Sequence, residues 1–337
     1  MKQRLQNSAC VFGALLIMLT AGIFTLAEAQ TATANDPLSA LPASDGVMFI
    51  DMNRIVTQAM PRLLARNPTR LAAVNADLER FQQRTGVDPR SIDRIAIGTS
   101  YATPKTGITK LNTVAIARGK FNAGTIVAAG HLAAKGKYAE QKHAGRAVYV
   151  FTLEEQLNMF GLLKMSVGEL AISVLDANTL AFGKPEVVRA TIDAMGARRG
   201  ASNAALIALA NRTPNALVGF GGNIPANLLA NIDLGNPEVN RSLASVRQVF
   251  GSLGMSGTGY ELLTTARTTD ARAAKSLNET VDAARGLASL VVGNLQGDRG
   301  RLARGALESL KVTIENADVS LRVTVPEVDI ATLIASL

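Results

Sequence analysis

The sequence predicts an α+β fold built as two related halves, each a mainly antiparallel sheet with helices packed on one face. Three observations predict it. Strand patterns come in consecutive pairs joined by short Asn, Asp or Gly turns, whereas a parallel sheet would need a helix after each strand. Helical patterns follow these pairs at three- and four-residue spacing. The order of elements also recurs: PEVVRATI at 185–192 and PEVDIATL at 326–333 agree at five of eight positions, and each copy follows a hairpin with an Asn/Asp turn.

Taken in order, 46–51 (GVMFID) is a short apolar strand, and a helical segment interrupted by Pro61 follows over 54–65. Asn67-Pro68 gives a cap followed by proline at the first helical position. Leu71, Val74, Leu78 and Phe81 form one apolar stripe. Gly86 is placed to end that helix. Residues 92–100 and 111–118 alternate as strands, with a Pro/Gly loop between them. Asn122 is placed to cap a helix over 122–134. A hairpin over 138–151 turns near Ala144-Gly145, and a strand pair over 169–182 turns at 176–178. Pro185 and Glu186 open a helix to 195, acidic where the macrodipole favours it.

The second half repeats this. Strand 216–220 precedes helix 225–232. Strands 249–257 and 260–268 precede helix 270–286. A hairpin of 310–315 and 319–325 turns at Asn316-Ala317-Asp318, and helix 327–337 follows. Asn53 matches Asn223, and Ala117-Arg118 matches Ala266-Arg267. The offsets between matches are unequal, so the pattern is that of an old duplication with insertions. The folded halves are expected at 45–200 and 214–337.

The N-terminus reads as an address. Lys2 and Arg4 precede an almost unbroken apolar run over 10–26. Ala27-Glu28-Ala29 is a small-x-small cleavage site before Gln30, so 1–29 is expected to be a secretory signal peptide. The alternative is an uncleaved anchor in the inner membrane, because 17 apolar residues lie near the lower limit for a spanning helix. Cleavage would remove Lys2, Arg4 and Glu28 and take the net charge from +8 to +7. It would also remove Cys10, the one cysteine. Residues 30–44, rich in small residues and carrying Pro37 and Pro42, read as a flexible lead-in.

Composition excludes several classes. One Cys and two His rule out thiolate metal sites and a disulfide scaffold, and no cofactor is expected. No Trp and 4% aromatic residues disfavour stacking on bases or sugars, so no nucleic-acid partner is expected. Arg118 with Lys120, Lys135 with Lys137, Lys142 with Arg146, and Arg198-Arg199 are local basic clusters, and none reaches five residues.

Catalytic signatures are incomplete. Gly219-Phe220-Gly221-Gly222 sits where a phosphate cradle would, but Ile224 takes the sixth position and no G-K-[ST] follows. Ser256 lacks the second flanking Gly of a nucleophile elbow, because Thr258 stands there. His131 and His143 read as surface histidines. Ser309 and Lys311 would share one strand face without an oxyanion partner. Glu154 and Glu155 read as the first turn of a helix. Asp51, Asn53 and Asn223, all just after a first strand, are the polar positions singled out as anchors or ligand contacts.

The segments LPASDGVMFIDMNRI at 41–55, TGVDPRSIDRIAIG at 85–98 and VAIARGKFNAGTI at 114–126 resemble exported bacterial proteins of unknown function of the acidobacterial and planctomycete type. The resemblance rests on structural turns and departs from that pattern at Asn122, where an Asp is usual. It implies export and an α+β topology, and no active residues.

These observations lead to an exported, periplasmic or extracellular, non-enzymatic binding or envelope-associated protein. The expected partner is an apolar ligand or an envelope protein held between the halves. The alternatives are an exported hydrolase with an unrecognised Ser, Asp or Lys site, and an envelope component anchored by 1–29.

Overall fold

Antiparallel strand pairing carries the fold, and the strand pairs within each of its two units have this sense. A computed structural model describes residues 36–85, 88–102, 110–133, 137–152, 157–159, 163–165, 169–196, 203–230 and 235–335. With helices between and after the strand pairs, the class is α+β, as the sequence predicts.

The described residues form two compact units, one of 36–60 and 69–207, the other of 61–68 and 208–335. The expected boundaries at 45–200 and 214–337 are corrected in two respects. Residues 61–68 pack with the second unit, because Arg62 donates to the carbonyls of Ser256 and Gly257, each at 3.1 Å, and to the Glu327 carboxylate. The first unit also begins within the expected lead-in. Asp36 caps a 3₁₀ turn over Pro37–Ala40, and Leu38 and Leu41 are fully buried. Pro37 and Pro42 there fix a packed path rather than mark a loose one.

The first unit contains β1 (Gly46–Asp51), β2 (Ile92–Ala102), β3 (Lys110–Gly119), β4 (Tyr138–His143), β5 (Arg146–Thr152), a small hairpin of β6 (Leu157–Met159) and β7 (Leu163–Met165), β8 (Glu169–Asp176) and β9 (Thr179–Gly183). Its main strands are ordered β1-β2-β3-β9-β8-β5-β4. The β4–β5 turn is made by Ala144 and Gly145 at φ 47° and 79°, the left-handed pair that a tight hairpin requires. The helix Pro185–Gly196 lies on β3, β5, β8 and β9 through buried Val187, Val188 and Ile192. The helical segment after β1 starts at Met52 rather than 54. It contains a π-helical turn, Ile55–Ala59, just ahead of Pro61, where proline's missing N–H and ring would break a regular turn.

The second unit contains β10 (Val218–Asn223), β11 (Val246–Met255), β12 (Gly259–Thr268), β13 (Lys311–Glu315) and β14 (Asp318–Pro326), in the order β10-β11-β12-β14-β13. The Gly219–Gly222 run is therefore strand interior and not the loop between strand and helix that a phosphate cradle needs. Alternate residues Val246, Ala266, Val319, Leu321 and Val323 face Ala274, Leu277 and Val281 of the helix Ala271–Gly293. That helix runs through Gly286, where the sequence reading ended it. Three further helices were not expected: Ala204–Ala210, Pro237–Ala244 and Gly297–Ser309. The second of these opens with Asn236 capping Pro237-Glu238-Val239, the same Pro-Glu-Val start seen at 185 and 326.

The strand neighbours β1-β2-β3-β9-β8 and β10-β11-β12-β14-β13 follow the same chain order. The registers agree as well. One rung of the first sheet reads Asp51, Arg94, Arg118, Thr179, Asp176. The corresponding rung of the second reads Asn223, Gln248, Arg267, Asp318, Glu315. A register shift falls two residues before each rung's second member, between Ile92 and Arg94 and between Val246 and Gln248. On this register Asn223 corresponds to Asp51 and not to Asn53.

Candidate functional site

Of the polar residues singled out from sequence, Asp51 and Asn223 have side chains engaged by neighbours. The Asp51 carboxylate accepts from the Arg54 N–H at 2.9 Å and starts a helix. The Asn53 carbonyl accepts from the Thr57 hydroxyl. The Asn223 side-chain oxygen accepts from Gln248 at 2.8 Å, and Gln248 in turn accepts from Arg267. Asp51 is a helix cap and Asn223 a strand end, each satisfied by a neighbour, whereas Asn53 lies within the helix Met52–Arg54. Ala27, Ala29, Gln30, Gly86, Lys135, Glu154, Glu155, Arg198 and Arg199 lie outside the described residues.

The candidate nucleophiles and bases are likewise engaged. The Ser256 hydroxyl accepts from the Gly259 N–H at 3.0 Å, inside a hairpin turn. Ser309 ends a helix rather than lying on a strand. Its hydroxyl donates to Ala306 and accepts from the Thr324 N–H, so no Ser–Lys pair forms with Lys311. His143 meets the Asp193 carboxylate at 2.8 Å. His131 is not a bare surface residue: its ring stacks on Tyr138 at 4.0 Å and meets Tyr149 edge-on at 4.9 Å. Of the basic clusters, Arg118 faces Asp176 and Arg146 donates to the Val174 and Leu175 carbonyls. Among the described residues no group of three His, Cys, Asp or Glu is placed to hold a metal, and no helix is long and apolar enough to cross a membrane.

A cavity of about 480 Å³ opens at the end of β3, lined by Lys120, Phe121, Asn122, Val174 and Asn178. The Asn122 side chain is already committed, accepting from the N–H groups of Gly124 and Thr125 as a helix cap.

A different surface stands out in the second unit. Asp270 starts the helix Ala271–Gly293 by accepting from the Ala273 N–H at 2.9 Å. That bond, with one from Thr269, holds the Asp270 carboxyl below the usual aspartate range. Ala274, Leu277, Val281, Ala284 and Val292 point into the core. The first half of the outer face carries Arg272, Lys275, Glu279 and Asp282, as a solvated helix should. Beyond Asp282 the outer face turns apolar. Leu287, Leu290 and Val291 are 49%, 69% and 55% exposed, and Leu295 after the helix is 42% exposed.

This apolar end is held firmly. The Asn294 and Leu295 N–H groups close the last turn on Val291 and Val292, each at 3.1 Å. Gly297 turns the chain at φ 70°. Gly300, in the following helix, approaches so closely that a Cβ there would lie 2.1 Å from the Leu295 carbonyl oxygen. Arg304 donates to that same carbonyl at 2.9 Å. The sequence signal was present as Leu287, Leu290, Val291 and Leu295 at helical spacing. It was lost because the helix was ended at Gly286, a position where an added Cβ would meet nothing within 4 Å.

No protein-family model matches the chain, and no curated protein matches it. Among solved structures it is similar to crystal forms III, I and IV of TP0453. The TM-scores are 0.42, 0.38 and 0.38 at 11%, 9% and 11% identity. The matches cover 91%, 90% and 89% of this chain and 100%, 98% and 96% of those chains. At these values the likeness carries no argument about function.

Proposed function

We propose that this is an exported, non-enzymatic protein of the bacterial envelope that works by docking its exposed apolar surface on an envelope component. One observation carries the reading: four large aliphatic side chains, Leu287, Leu290, Val291 and Leu295, stand in solvent on one helix end whose turn is fixed by Gly300 and Arg304. Contiguous exposed apolar surface rimmed by polar residues marks an interaction site, whereas single exposed leucines do not. The leader pattern over 1–29 supports export. Cell fractionation tests the reading. The chain should be recovered with the envelope, starting at Gln30, and Leu290→Glu should release it into the soluble fraction. Recovery from the cytoplasm, or identical partitioning of the variant, would sink the reading.

We further infer that the two units descend from one duplicated unit. Shared strand order, a shared rung and a register shift at the same place support it. So do the helices carrying PEVVRATI and PEVDIATL, each of which follows the strand in the same sheet position (β9 and β14). Superposing 45–196 on 214–335 tests it. Helices that failed to coincide would refute common descent.

A further inference from the structure

We propose that the exposed apolar stripe of the second unit seats on an anionic phospholipid surface. The inference rests on the docking reading above and names its partner. Leu287, Leu290 and Val291 lie on the outer face of one helix, and Leu295 extends that face past the helix end. Their side chains are purely aliphatic, and the aromatic anchors of protein–protein interfaces, Trp and Tyr, are missing from 283–305. The exposed apolar surface here is that of four side chains, each between 42% and 69% exposed. A stable complex with a second copy needs about 800 Å² from each partner. Insertion of a helix face to the depth of the headgroup boundary needs no such area, because each side chain contributes by leaving water.

Charge favours the same partner. Between 283 and 305 the chain carries Arg285, Arg299, Arg301 and Arg304 against Asp298, with Asp282 one residue ahead of the stretch, and among the described residues no ion pair engages Arg285 or Arg299. Arg299 and Arg301 are exposed, and Arg301 meets both Asp298 and Asp329. Two copies of this basic rim would repel each other. An anionic headgroup layer would attract it, and arginine stems can lie along the acyl boundary with their heads in the polar layer. The firm turn at 294–297 means that little ordering is needed on contact.

The test uses the protein as recovered after export, wild type and variants alike, with two kinds of vesicle: phosphatidylcholine alone, and phosphatidylcholine with about one-third phosphatidylglycerol. Co-sedimentation should show binding on the order of tenfold tighter to the anionic vesicles, weakening as salt is raised. Leu290→Glu should lower binding to the anionic vesicles at least ~tenfold, with circular dichroism and melting temperature unchanged. Arg299→Glu should weaken the anionic arm alone. Equal binding by wild type and Leu290→Glu overturns the proposal, as does failure of the wild type to bind either vesicle. A dimer that Leu290→Glu dissociates also overturns it, because a second copy would then be the occupant. If Leu290→Glu releases the chain from the envelope in cells while vesicles go unbound, the lipid assignment fails and the docking reading stands.

Discussion

Arg267 donates two hydrogen bonds to Asp318, at 2.8 and 2.9 Å, from the rung position that Arg118 holds in the first unit opposite Thr179. The same guanidinium donates to Gln248 and lies 5.3 Å from the Phe250 ring centre. Its hydrogen bond to Asp318 holds it protonated above even the usual arginine range, against the opposing effect of burial. Arg267→Lys keeps the charge and loses the planar fork. It should lower the stability of the second unit by about 1 kcal/mol, because Arg267 is partly exposed and solvent screens the pair. Urea unfolding would show this as an earlier midpoint with an unchanged slope. An unchanged midpoint would mean that the fork contributes nothing beyond its charge.

Gly251 lies where β11 meets β12 so closely that a Cβ would fall 1.7 Å from the Leu263 carbonyl oxygen. The obstacle is backbone, which cannot swing aside. Gly251→Ala should cost more than about 3 kcal/mol. Gly254→Ala, on the same strand with nothing within 4 Å of the added carbon, should stay within about 0.5 kcal/mol of the parent. Thermal melts of the two variants side by side decide the matter, and equal melting temperatures would refute the argument.

Asp270 is an N-cap whose carboxyl titrates below its ordinary value because the Ala273 N–H and the Thr269 hydroxyl favour the charged form. A depressed folded value means that the stabilisation is fully present above the unfolded value of about 3.9. It is lost as pH falls through the folded value. Asn caps helices nearly as well but does not titrate in this range. The stability advantage of the parent over Asp270→Asn should therefore shrink on acidification below about pH 4. An advantage that stayed constant from neutral to acid pH would contradict the assignment.

Leu38 and Leu41 have no solvent exposure although they precede the first strand. Leu41→Ala should cost about 2–5 kcal/mol, the range for a core leucine. A flexible lead-in would give a change near zero. Hydrogen exchange at 38–41 offers a second check: protection there should approach that of β2.

The fold class, the hairpins and the helices at 185 and 327 were legible because local chemistry specifies them. Asp, Asn and Gly mark the turns, and Pro-Glu marks the helix starts. The lead-in was not legible, because small residues and prolines look the same in a loose tail and in a packed one. What decides between them is Asp36 pairing with Arg94 at 2.8 Å, 58 residues away. The helix Gly297–Ser309 opens with glycine and no side-chain cap, so no start signal stood in its sequence. Asp51 and Asn223 were recognised as strand-end polar positions, but their pairing needed the ladder register. The apolar helix end was missed for a simpler reason: Gly286 looks like a terminator, yet here it is an exposed position inside a continuing helix.

Asn203 is 1% exposed, and its side-chain amide donates to the carbonyls of Leu41 and Pro42 while its oxygen accepts from the Ser44 N–H at 3.0 Å. These partners lie 159 to 162 residues earlier in the chain. The start of the first unit therefore gains this set of bonds only once residue 203 exists, after Asp36 has already met Arg94. During synthesis that interval is on the order of ten seconds. Closure of the first unit around its own beginning is thus completed late in synthesis, after its strands β1 to β9 have been made.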